Sequence, residues 1–234
     1  MSIPRDRFDI HAAKHRLSAE FIRPRDKTDN RPVLVFLHEG LGSISQWRGF
    51  PEKIFARTGC PALVYDRWGY SGPDPLTEPR RPDYLHDEDL LSLPEVLNQC
   101  AIDKPILLGH SDGGSIAIIY AGTYPQKVSG IITEAAHVFV EDVTVEGIKR
   151  AVEVYESAHL KKRLAKFHDN NTELMFRGWA DIWLSPEFRD WNIERYFPIS
   201  PALFLPFRAR MTSMARPLRL NPLQARSWGR REVR

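Results

Sequence analysis

Four short apolar runs mark the first 140 residues: "PVLVFLH" at 32–38, "PALVYD" at 61–66, "KPILLGH" at 104–110 and "VSGIITEAA" at 128–136. None alternates polar with apolar positions. That is the pattern of strands buried on both faces. Between them the apolar spacing changes to three and four. "QWRGFPEKIFART" (46–58) predicts an amphipathic helix closed by Gly59, and "DYLHDEDLLSLPEVLNQC" (83–100) a helix kinked at Pro94. "SIAIIYAGTYP" (115–125) predicts a helix packed on the sheet, and "RWGYSGPDPLTEPRRP" (67–82) a Gly/Pro-rich loop. Strands alternating with helices predict an α/β core over residues 1–140, built on a mainly parallel sheet. Residues 141–197 carry only helical texture, in "VEGIKRAVEVYES", "HLKKRLAKFH", "NTELMFRGWADIWLS" and "RDWNIERY". They read as a helical cap inserted on that core. Residues 198–234 form a third, aberrant segment.

"GHSDG" (109–113) fits G-x-S-x-G and lies between a strand and a helix, the context that gives this pattern meaning. A sharp turn there exposes a serine hydroxyl, and the small flanking residues let strand and helix approach. Ser111 is the candidate nucleophile, and the competing reading is a turn with only a structural role. "HEGLGS" (38–43) follows the first apolar run. In this topology that loop supplies one oxyanion donor, and the residue after the nucleophile supplies the other. The backbone N–H groups of Gly40 and Asp112 are the candidates.

With "FLHEGLGS", "YDRWGYSGPD" and "LLGHSDGG" in place, the chain resembles the α/β-hydrolases with a helical cap, of the esterase, lactonase and carbon–carbon bond hydrolase kind. The resemblance covers about residues 10–197. Glu39 stands where a glycine is more usual in that family. The resemblance implies Ser111 as nucleophile, an acid after the next core strand and a histidine after the last strand. It also implies a small ester, lactone or related acyl substrate.

Those partners are hard to find. The family order is Ser, acid, His, and the base must be a neutral imidazole oriented by a carboxylate. The last of the eight histidines is His168, inside the cap. It reads as a solvated cap residue, and His38 and His110 as local packing or hydrogen-bonding residues beside the site. His137, with Glu141 or Asp142 as its acid, is the substitute base the sequence offers.

The tail deepens the puzzle. From 200 to 234 there are eight Arg, no Lys and one acid, so this stretch carries +7 and leaves −4 on the rest. Its composition suits disorder, and only "ALFL" could form a strand. The coding frame explains it better. Methionine has one codon, ATG. The last base of Met211 with the first two of Thr212 gives GAC, aspartate; Met214 with Ala215 gives a glycine codon. Read in that displaced frame from Ile199, with the free bases chosen to suit, the chain becomes ITCPVLAIQGEDDEYGT. That is a buried strand followed by an acidic loop, where the family keeps its triad acid. The expected consequence is a chain lacking its last strands, its acid and its base, with an open sheet edge, marginal stability and weak hydrolysis. A catalytically dead chain and a non-catalytic binder of small ligands are the competing readings.

Composition narrows the partners. Hydrophobic residues make up 42% and charged residues 27%, and no apolar run approaches a membrane span. The start, "MSIPRDRFDIHAAKHR", has no secretion signal, and Cys60 and Cys100 read as reduced thiols. These point to a cytoplasmic protein. The net positive charge comes wholly from the tail, so nucleic acid is not expected as a partner. No spacing of glycines or of metal-ligating residues calls for a cofactor or a metal. The cap aromatics Tyr155, Phe167, Phe176, Trp179 and Trp183, with Met175, mostly pack helices, and a few are expected to line an apolar cleft.

Overall fold

The computed structural model describes residues 5–23, 31–157 and 159–197, with the backbone of 203–206. The four apolar runs form β3 (Leu34–Leu37), β4 (Ala62–Tyr65), β5 (Ile106–His110) and β6 (Gly130–Glu134). β4, β3, β5 and β6 lie side by side and parallel. Every residue of β3 and β4 is buried, as a sheet covered on both faces requires.

Two strands were not foreseen. β1 (Arg5–Ala12) and β2 (His15–Ile22) form an antiparallel hairpin, and β2 pairs antiparallel with β4. Their outward charges masked them; Ile10, Ala12, Leu17, Ala19 and Ile22 supply the buried positions. A further strand, β7 (Leu203–Pro206), pairs parallel with β6. This corrects the expectation that the strand after the cap is missing and that the β6 edge lies open. The "ALFL" run is apolar enough to complete the ladder in the frame as written. The rest of the tail, with its expected disorder, lies outside the described residues.

Helix α1 (Phe50–Thr58) is closed by Gly59, whose positive φ of 69° lets its N–H reach the Phe55 carbonyl. The kinked helix is α2 (Tyr84–Asp87), one π-turn over Glu88–Ser92, and α3 (Leu93–Gln99). The wide turn falls just before Pro94, which has no N–H to give. It buries Asp89 completely, and neither carboxyl oxygen finds a well-formed hydrogen bond among the described residues. Burial, with the nearby charges of Glu88 and Asp87, pushes that carboxyl up to about 8. An unfolded aspartate titrates near 4. The folded state therefore holds the proton more tightly, and the stability this contributes is full below about pH 4 and lost as pH rises toward 8. Asp89→Asn is expected to flatten this decline, by several kcal/mol. Urea unfolding of both proteins at pH 5 and pH 9 checks it.

After α4 (Asp112–Thr123) and β6 come α5 (Asp142–Glu156), α6 (His159–His168) and α7 (Thr172–Leu184), packed on one another. Three predicted helices of this layer are present. The fourth, "RDWNIERY", is not an α-helix; only its last three residues, Glu194–Tyr196, form a 3-10 turn. Its apolar Trp191 and Ile193 are two apart, an extended spacing, and both are buried. Asn192 bridges Phe139, and the Ile193 N–H donates to the Val138 carbonyl at 2.7 Å, tying the end of the layer to its start.

Candidate active site

Ser111 joins β5 to α4 with φ 52° and ψ −118°, a backbone conformation that a side chain normally avoids. Glycines make the turn feasible. A Cβ on Gly109 would lie 2.2 Å from the Gly113 carbonyl oxygen, and one on Gly113 would lie 2.0 Å from that of Leu37. The turn is locked by hydrogen bonds: the Ser111 N–H donates to the Glu134 carbonyl at 2.8 Å, and the Ser111 carbonyl accepts from Gly114 and Ser115. The hydroxyl is left at the positive end of α4, half-exposed and without a hydrogen-bond partner among the described residues.

Asp112 is the first residue of α4, so its amide has no acceptor inside the helix. Among the described residues the Gly40 amide has none either. These two N–H groups were named from the sequence, and both are unoccupied donors.

A residue that sequence reasoning quoted without a role holds the loop in place. Arg67 is 2% exposed. Its Nη2 donates to the carbonyls of His38 (3.3 Å) and Glu39 (3.0 Å) and to the Tyr70 hydroxyl (3.0 Å), and lies 3.7 Å from Asp112 Oδ2. It thus reaches both sides of the site. Asp112 Oδ2 also accepts from the Tyr84 hydroxyl at 2.7 Å, and that hydroxyl accepts from the Trp183 indole at 2.9 Å.

The histidines divide by what their rings hold. The Arg67 N–H donates to His38 Nε2 at 3.1 Å, and His38 Nδ1 donates to the Glu39 carbonyl at 2.8 Å. Both nitrogens are engaged; burial, then the Arg67 charge, push this imidazole well below its ordinary value. His110 Nδ1 lies 2.9 Å from Glu39 Oε2. Burial lowers its pKa, but the Glu39 hydrogen bond and charge outweigh that and raise it. His137 packs edge-on against Trp183, and its backbone is tied to Ser115 in both directions. Burial lowers its pKa, so the ring is neutral near pH 7, and Asp112 and Glu141 only partly oppose this. Asp142 does not orient it: that carboxylate is exposed and pairs with Arg189. His168 is not the solvated residue expected. It is 2% exposed and its Nε2 donates to the Leu41 carbonyl at 3.0 Å, from 127 residues away. Among the described residues no histidine is hydrogen-bonded to the Ser111 hydroxyl.

Of the aromatics expected to form a cap, Tyr155, Phe176 and Trp183 are buried, as is Met175. A cavity of about 250 Å³ beside Trp47 and an open groove of about 400 Å³ beside Trp191 both lie away from Ser111. Among the described residues no three His, Cys, Asp or Glu side chains gather as a metal ion needs, and no helix is long and apolar enough to cross a membrane.

Residues 32–193 match the family model described as the alpha/beta hydrolase fold. The chain is 36% identical over 130 residues to a proline iminopeptidase of Saccharolobus solfataricus, covering 55% of this chain and 40% of that one. It is 25% identical over 224 residues to a 2-hydroxy-6-oxononadienedioate/2-hydroxy-6-oxononatrienedioate hydrolase of Klebsiella pneumoniae, covering 90% of this chain and 74% of that one. A carboxylesterase structure from Nitrososphaera gargenis superposes with a TM-score of 0.60 at 20% identity, over 85% of this chain and 78% of that one. The chain thus spans less than half the length of the Saccharolobus relative.

Proposed function

The chain belongs to the α/β-hydrolase fold family, and from that premise we propose that it is a serine hydrolase of small esters, lactones or related acyl compounds. The observation that carries this is the strained backbone at Ser111, held by glycine contacts that tolerate no side chain. Backbone strain of this kind costs about 1–3 kcal/mol and persists where function needs it. In the reaction Ser111 Oγ attacks the carbonyl carbon and loses its proton. The oxyanion takes hydrogen bonds from Gly40 and Asp112 N–H, and the alkoxide leaves with a proton. Water then releases the acid. The α5–α7 layer serves as the cap over this site. The half-buried free thiols Cys60 and Cys100 suit a reducing, cytoplasmic setting.

The proton acceptor is the weak link. His38 and His168 are held by backbone groups, His110 by Glu39, and the His137 ring packs edge-on against Trp183 with no hydrogen bond to Ser111, which supports a chain whose acid and base belong to the displaced frame after Phe197. Turnover by the chain as written is then slow, with water taking the proton. That same observation favours the second reading, a cap-and-core protein that binds small acyl ligands without turning them over. Ser111→Gly separates the two. It removes the hydroxyl and relieves the positive φ, so it is expected to abolish the residual hydrolysis of p-nitrophenyl butyrate while raising stability by about 1 kcal/mol. Residual hydrolysis unchanged in Ser111→Gly sinks the nucleophile assignment. Stability lowered by the change sinks the strain argument.

A further inference from the structure

The oxyanion loop is touched from the cap at two places. His168 bonds the Leu41 carbonyl, and the Trp179 indole lies against Gly40. A methyl group built on Gly40 would come within 2.2 Å of Trp179 Nε1 and 2.3 Å of its Cδ1, so glycine at position 40 leaves the space the indole fills. Trp179 lies on α7 among buried neighbours (Met175, Phe176, Ala180, Trp183), yet is itself half-exposed.

Its N–H group differs from those of the other described tryptophans. Trp68 donates to the Pro75 carbonyl and Trp183 to the Tyr84 hydroxyl. The N–H groups of Trp47 and Trp191 are sealed in the interior. Among the described tryptophans, Trp179 alone leaves its donor both accessible and without an acceptor. An accessible indole N–H can exchange a bound water for the oxygen of a ligand. Here it sits beside a free backbone donor, and both suit one oxygen atom of a ligand.

We propose that Trp179 binds substrate: its indole N–H donates to the oxygen of an acyl group seated on Gly40, and its ring packs against the acyl chain, favouring small flat acyl groups of the benzoyl type. This rests on the assignment of Ser111 as nucleophile. Indole and amide then converge on the oxygen from the α7 side and the core side.

Phenylboronic acid tests it on the full chain. Ser111 Oγ bonds to boron, the hydroxyl proton leaves to solvent, and the boron becomes a tetrahedral anion with oxygens where the oxyanion would be. With indole-¹⁵N protein, the Trp179 N–H resonance is identified by its loss in Trp179→Phe. The expected result is a tetrahedral boron signal in the wild type, a downfield shift of the Trp179 indole proton in step with it, and about tenfold weaker binding in Trp179→Phe. A tetrahedral boron signal with an unmoved indole proton, or with equal affinity in Trp179→Phe, overturns the Trp179 role and leaves Ser111 standing. No tetrahedral boron in the wild type overturns the Ser111 assignment, and the Trp179 role with it.

Discussion

Adding one base after the Phe197 codon, with the downstream DNA retained, is expected to raise p-nitrophenyl butyrate hydrolysis by at least about 1,000-fold. Three observations lead there. Ser111 holds a strained strand-to-helix turn, and the Gly40 and Asp112 amides have no acceptor among the described residues. No described histidine is hydrogen-bonded to the serine hydroxyl. The tail's two internal methionines dictate an aspartate and a glycine one frame away, inside a strand-and-acidic-loop peptide. An oxyanion hole with no base still accelerates hydrolysis over water, but loss of the histidine removes several further orders of magnitude. The edited gene restores that step only if the displaced frame encodes both partners. An early stop codon in that frame, or a product no faster than the present chain, ends the idea. The pairing of β7 with β6 sharpens the expectation: the sheet edge is already covered, so the gain appears in turnover more than in folding.

Arg67→Met is expected to cost about 3–5 kcal/mol in urea unfolding. The methionine fills similar volume. It supplies none of the hydrogen bonds to the His38 and Glu39 carbonyls or to Tyr70, and it leaves Asp112 with no cation beside it. A buried carboxylate without compensation is the costly outcome, more than the lost attraction itself. The double variant Arg67→Met/Asp112→Asn therefore recovers part of the loss, because the amide keeps a bond to Tyr84 without the charge. A single-variant loss below about 1 kcal/mol, or no recovery in the double variant, contradicts this role.

The parallel strands and the elbow were legible because they are local. Short uninterrupted apolar runs such as "LVFL" and "ALVY" bounded by turn residues suit strands covered on both faces, and G-x-S-x-G after such a run marks the sharp strand-to-helix turn at Ser111. The α5–α7 helices were legible from their periodicity. The β1–β2 hairpin was lost because Arg5, Arg7 and Asp9 stand between few apolar positions, and "RDWNIERY" was misread because charges imitate a helix while Trp191 and Ile193 keep an extended spacing. The site's supports were out of reach for another reason. Arg67 over the His38–Glu39 carbonyls, His168 on Leu41 and Trp179 on Gly40 all join segments far apart in the chain. No pattern within one segment encodes which side chain crosses to which loop. The difficulty of finding a base for Ser111, by contrast, was visible early, since no histidine follows His168.

The most direct measurement is peptide mapping by mass spectrometry after exposure to a fluorophosphonate, of the chain as written beside the frame-restored chain. The expected result is one phosphonyl adduct on the peptide holding Ser111 in both, formed slowly in the first and at least about 1,000 times faster in the second. An unmodified Ser111 peptide in an active frame-restored protein, or equal rates in the two chains, would contradict the account.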